Sequence, residues 1–113
     1  MAKVRITSSL EKVINKKFKN ESVKIFELFY ELIDNPKKGK FIGQVGGISI
    51  KELKHNSYRF YFITNGYKIK FLKSEELEDL IIKFVGMSDK NNQQKIINEI
   101  KYILGKFGSE GFD

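Results

Sequence analysis

Apolar residues recur along this chain at two periods, and the switches between them mark out its elements. "KVRIT" (residues 3–7) alternates, with Val4 and Ile6 on one side, and predicts a short first strand. "SSLEKVINKKFK" changes to helical spacing: Leu10, Val13, Ile14 and Phe18 share a stripe, and Ser8 followed by Glu11 has capping-box spacing. "NESVKIFELFYELIDNP" predicts a second helix with a broader face of Ile25, Leu28, Phe29, Leu32 and Ile33. Pro36 forces Asn35 away from helical geometry, so this helix stops near Asp34. "NPKKGKFIGQVGG", residues 35–47, reads as a loop of about a dozen residues.

Period two then returns. "ISIKELK", "SYRFYFI", "YKIKFL" and the apolar "LIIKFVGM" predict strands over residues 48–54, 57–63, 67–72 and 80–87. Asn65-Gly66 joins the second and third of these as a hairpin, because a two-residue type I′ turn needs positive φ at both positions. "KSEELED" is an acidic connector. The chain closes with a helix carrying Ile96, Ile97, Ile100, Ile103, Leu104 and Phe107 on one stripe, and "GSEGFD", residues 108–113, reads as a loose tail. The order β-α-α-β-β-β-β-α predicts a single α+β domain over residues 1–113. Its small antiparallel sheet carries two N-terminal helices and a C-terminal one.

Register sharpens the hairpin. The tight turn sets Thr64 opposite Tyr67, and alternation splits the pairs onto two faces. Phe60, Phe62, Ile69 and Phe71 form a core face, joined by Leu80, Ile82 and Phe84. Arg59, Tyr61, Ile63, Lys68, Lys70 and Leu72 point the other way, with Ile81, Lys83 and Val85. Helices that cover one face leave the other to solvent or a ligand. Tyr61, Lys68, Lys70 and Lys83, beside Arg59, are therefore candidate RNA contacts: cations for phosphates, a tyrosine ring for a base.

Charge has two readings: a solvated, lysine-rich surface, which net charge alone favours, and a surface for a polyanionic partner, nucleic acid or an acidic protein. The 113 residues carry 21 Lys and Arg against 14 Asp and Glu, a net +7. Only Arg5 and Arg59 are arginines, and an arginine in mid-strand of so lysine-rich a chain suits planar, bidentate phosphate or carboxylate binding. A structural salt bridge to Glu52 or Glu31 is the competing explanation. There is no cysteine and one histidine, His55, so disulfides and thiolate metal sites are excluded and a histidine-based zinc site is disfavoured. No cofactor and no metal are expected. No apolar run reaches membrane-spanning length and the first residues lack a signal-peptide pattern, so a cytoplasmic protein is expected.

Taken in order, "LIDNPKKGKFIG", "IKELK", "YRFYFITNGYKIKFL", an apolar strand and the polar helix start "SDKNNQQKII" resemble RelE/HigB-like toxins of the RelE/ParE superfamily. The resemblance runs from the second helix to about Leu104 and implies the same small sheet with two N-terminal helices. It implies the toxin half of a type II toxin–antitoxin pair, neutralised by a cognate antitoxin protein. It also implies ribosome-dependent, metal-independent cleavage of mRNA by the RNA's own 2′-hydroxyl. Arg59 matches the family's strand arginine, Lys54 the basic residue closing the preceding strand, and Lys90 the region where a lysine or arginine follows the last strand. Glu52 stands where the RelE branch has a lysine, and Gln93 and Gln94 occupy the stretch where some members carry a tyrosine. For the proton acceptor, His55, Glu52 and a lysine of lowered pKa stay open. So do two other readings: a toxin-fold module that binds RNA or an antitoxin-like partner without cleavage, and a gyrase-targeting relative.

Overall fold

The computed structural model describes residues 2–65 and 81–113. Its elements are β1 (Lys3–Ile6), α1 (Ser8–Phe18), α2 (Ser22–Tyr30), β2 (Lys40–Val45), β3 (Ile48–His55), β4 (Tyr58–Asn65), β5 (Ile81–Ser88) and α3 (Gln93–Phe107). Single 3-10 turns follow each helix, at Lys19–Glu21, Glu31–Ile33 and Gly108–Gly111. The architecture is α+β, built on one five-stranded sheet in the order β1-β5-β4-β3-β2.

Three features of this sheet differ from the expectation. First, it is mixed: β1 runs parallel to β5, pairing Lys3 with Ile81 through Ile6 with Phe84. A parallel neighbour requires a long crossover, and the helices that follow β1 supply its first part. Second, the stretch read as a loop contains β2, an edge strand antiparallel to β3. Its glycines concealed it. Gly43 sits at a register shift, and Gly46 and Gly47, both at positive φ (55° and 83°), form the two-residue turn into β3. Third, β4 is paired on both edges, with β3 from His55–Tyr58 to Ile48–Asn65 and with β5 from Arg59–Ser88 to Thr64–Ile82. The edge that pairing of Thr64 with Tyr67 requires is thus occupied. Residues 67–72, with Lys68 and Lys70, and Leu80 lie outside the described residues.

Each face of the sheet buries one helical layer. Leu10 and Ile14 of α1, Ile25 and Phe29 of α2, and Leu32 pack on Leu53, Phe60, Phe62, Ile82 and Phe84. Phe29 stacks on Phe84 with ring centroids 3.7 Å apart and planes 8° from parallel. On the opposite face Ile97, Ile100 and Leu104 of α3 pack on Ile50, Tyr61 and Ile63. The reason is economy of apolar surface. The stripe on α3 must be buried, each such side chain contributing about 1.5–3 kcal/mol, and α1 and α2 already occupy the Phe60 face. The expected open, basic face is therefore largely covered.

Local chemistry fixes the ends. Thr7, one residue before the expected Ser8, caps α1, its hydroxyl accepting from the Leu10 N–H at 3.3 Å. Gly39, at φ 103°, lies so close to Phe62 that a Cβ would stand 2.8 Å from the ring. Residues 108–113 are tied down rather than loose. Phe112 packs against the second core, and Lys83 Nζ donates to the carbonyls of Phe112 (2.8 Å) and Ser109 (3.4 Å). Among the described residues no helix is long and apolar enough to cross a membrane.

Candidate nucleic-acid interface

The tight turn between β3 and β4 does most to shape this site. Asn56, at φ 56°, and Ser57 form it, so His55 opposes Tyr58 and Lys54 opposes Arg59. Arg59 in turn opposes Ser88, the last residue of β5. Residues directly opposite in neighbouring strands share a face, so Lys54, Arg59 and Ser88 form one row across the end of the sheet. The next row inward is Lys40, Glu52, Tyr61 and Gly86. Both rows lie on the α3 face. The stripe of α3 packs farther along it: Ile96 and Ile100 lie over Gly86, and Gly105 lies beside Val45.

Placing Lys54 directly opposite Arg59 is electrostatically costly, since like charges across a strand pair destabilise a sheet. Sheet stability does not account for the arrangement. Lys54 is exposed and Arg59 partly so. Arg59 Nη1 donates to the Ser57 carbonyl at 3.3 Å, which anchors one of the five N–H donors of the guanidinium. Among the described residues no ion pair joins Arg59 to Glu52 or Glu31. Glu31 pairs instead with Lys38, at 3.0 Å.

Lys90 stands in the turn between β5 and α3, two residues beyond Ser88, and is exposed. The Asp89 carboxylate accepts from the N–H groups of Asn91 (2.7 Å) and Asn92 (3.1 Å), and the Asn92 side chain accepts from the Asp89 N–H (2.9 Å). Reciprocal bonds of this kind give Lys90 a fixed backbone. The structure thus brings Lys54 and Arg59 side by side and places Lys90 just past the third strand of their row.

Tyr61 and Lys83 are not available as expected. The Tyr61 ring is fully buried beneath α3, so it has no face to offer a base. Its hydroxyl shares a 2.8 Å hydrogen bond with Ser88 Oγ. Burial pushes the phenol above its ordinary value of 10; the Ser88 bond opposes this, Glu52 adds to it and Arg59 opposes it. Lys83 is turned to the carbonyls of the C-terminal turn.

Alternation also sorts the three proton acceptors left open by sequence. His55 and Lys51 fall on the α1–α2 face with Leu53, away from Arg59. Lys51 is the buried lysine of lowered pKa: burial depresses it below 10.5, while Nζ donates to the Lys37 carbonyl at 3.1 Å. Glu52 is buried on the Arg59 face, between Lys40 and Tyr61. Ser88, the partner of both Arg59 and Tyr61, was missed by sequence reasoning. The strand alternation that placed Ile82 and Phe84 inward was broken by a bulge opposite Tyr61–Phe62, which resets the face of the residues that follow.

Compared with family models, with curated proteins and with solved structures, the chain matches none.

Proposed function

We propose that this chain is the toxin half of a toxin–antitoxin pair and acts on mRNA at the ribosome, with the Lys54–Arg59 row as its phosphate clamp. The observation that carries this reading is the juxtaposition of two cations on adjacent strands at the end of the sheet. The net charge of +7 and the ordered motifs around Arg59 support it. In the proposed reaction the RNA 2′-oxygen bonds to the adjacent phosphorus as the bond from phosphorus to the 5′-oxygen breaks. Arg59 and Lys54 neutralise charge growing on the non-bridging oxygens. Glu52 takes the 2′-hydroxyl proton and the Lys90 ammonium protonates the leaving 5′-oxygen. The products are a cyclic phosphate and a 5′-hydroxyl. Burial of Tyr61 favours one second reading, an RNA-binding module that does not cut, because a stacking platform that would orient the substrate is withdrawn.

Induced expression of the intact chain is expected to arrest growth and to create new 5′-hydroxyl ends inside messages, detected by mapping transcript ends. A small cognate partner is expected to relieve the arrest. Arrest without new ends would select the binding module, and unchanged growth with unchanged ends would refute both.

A further inference from the structure

Arg5, the other arginine of the chain, has no part in the Lys54–Arg59 row. On β1 it pairs with Lys83 of β5, and Lys83 pairs in turn with Ile63 of β4. Paired residues share a face, so Arg5 and Lys83 set a second pair of like charges side by side on the α3 face. Lys83 Nζ donates to the carbonyls of Ser109 and Phe112, which leaves one of its three N–H donors over. Arg5 is exposed, and among the described residues neither it nor Glu110 of the C-terminal turn makes a hydrogen bond or an ion pair. These three charged side chains line a cavity of about 260 Å³. Ile48, Ile63 and Ile81, from three different strands, give it an apolar wall.

We propose that this cavity binds a free α-amino acid with an apolar side chain. Its volume lies below the range of about 300–1,000 Å³ that suits drug-sized ligands, so the occupant is a small metabolite. The two cations call for an anionic group. A carboxylate matches the planar fork of Arg5 in bidentate geometry, and the remaining Lys83 donor adds a point charge. Glu110 separates a zwitterion from a simple anion. A phosphate or a plain carboxylic acid finds only repulsion in that side chain, whereas an ammonium finds a partner. An α-amino acid carries both signs on one carbon. Its side chain then falls to the three isoleucines, which have no polar group to leave unpaired. The row of Arg5 lies four residues along β4 from that of Arg59, about 13 Å. None of these contacts involves RNA, so the site stands whether or not the Lys54–Arg59 row cuts it.

The test titrates the full chain, labelled at its isoleucine methyl groups, with L-leucine and L-phenylalanine in the absence of RNA. At least one of them is expected to shift the methyl resonances of Ile48, Ile63 and Ile81 saturably, leaving those of Ile14 and Ile25 in the opposite core unmoved. Isocaproate, which lacks the ammonium, and isoamylamine, which lacks the carboxylate, are each expected to bind about tenfold more weakly than leucine, the loss of one hydrogen bond to a charged group. Arg5→Gln and Glu110→Gln, both at exposed positions, are expected to weaken leucine binding about tenfold. Glu110→Gln should leave isocaproate binding no weaker than in the parent. No saturable shift at the three isoleucines with either amino acid would overturn the proposal. So would isocaproate or inorganic phosphate binding as tightly as leucine, or leucine binding unchanged in both variants.

Discussion

Arg59→Ala is expected to lower the rate of RNA cleavage by about 10²–10³-fold, the loss typical when one donor to a developing oxyanion is removed. Its thermal stability should stay close to that of the parent. The two halves of this expectation have separate causes. Arg59 is partly exposed; among the described residues its guanidinium donates to one exposed turn carbonyl and no ion pair holds it. Truncation also relieves its repulsion with Lys54. Stability therefore loses little, while the phosphate loses its only planar donor. Arg59→Lys should retain part of the activity, because it keeps the charge but not the bidentate fork. Cleavage assays on purified ribosomes with a defined message, paired with melting curves, read both quantities. Full activity in Arg59→Ala would remove Arg59 from the site.

Phe29→Ala is expected to have the opposite profile, costing about 3–5 kcal/mol of stability through lost transfer energy and a residual cavity. Phe29 is fully buried, stacks on Phe84, and meets Phe60 at 5.2 Å. That places it at the centre of the α1–α2 core, where three rings from one helix and two strands meet. A domain of this size holds a net stability of only about 5–15 kcal/mol, and each kcal/mol lost lowers Tm by about 4–8 °C. The layer lies across the sheet from Arg59, so cleavage by whatever fraction remains folded should be close to normal. Urea unfolding followed by circular dichroism measures the loss. A change below about 1 kcal/mol would mean that this face is not packed as described.

These two residues also show what the sequence made legible. Phe29 announced itself through helical periodicity, and the strand alternation that turned Phe60 and Phe84 inward named its partners correctly. The elements at residues 3–7, 48–54 and 80–87 were placed within a residue of β1, β3 and β5. Alternation separates two faces of a strand but does not say which of them is covered. Tyr61, Ile63 and Lys83 read as an amphipathic outer surface, yet the six apolar residues on the α3 stripe needed somewhere to go and only that face remained. Counting apolar helical stripes against sheet faces would have buried Tyr61 from sequence alone. β2 was hidden for a different reason: its glycines, which usually punctuate loops, here supply a bulge and a positive-φ turn. The Lys54–Arg59 pairing was legible too. A two-residue turn at Asn56-Ser57 sets it by the same rule that was applied to Asn65-Gly66. Ser88 was not, because a bulge shifts register by one and leaves no signature in the alternation.

The central claim is that Lys54 and Arg59 together hold an RNA phosphate. It is tested most directly by the salt dependence of binding to a 2′-O-methyl RNA decamer, which lacks the attacking hydroxyl and so reports contact without cleavage. For the parent chain, affinity should fall steeply with salt. The slope of log affinity against log salt should become shallower by about 0.7 for each single-strand phosphate contact removed. Lys54→Gln and Arg59→Gln share one phosphate, so each single variant should lose only part of that slope and the double variant about 0.7 in all. A slope unchanged from the parent in all three variants would contradict the account.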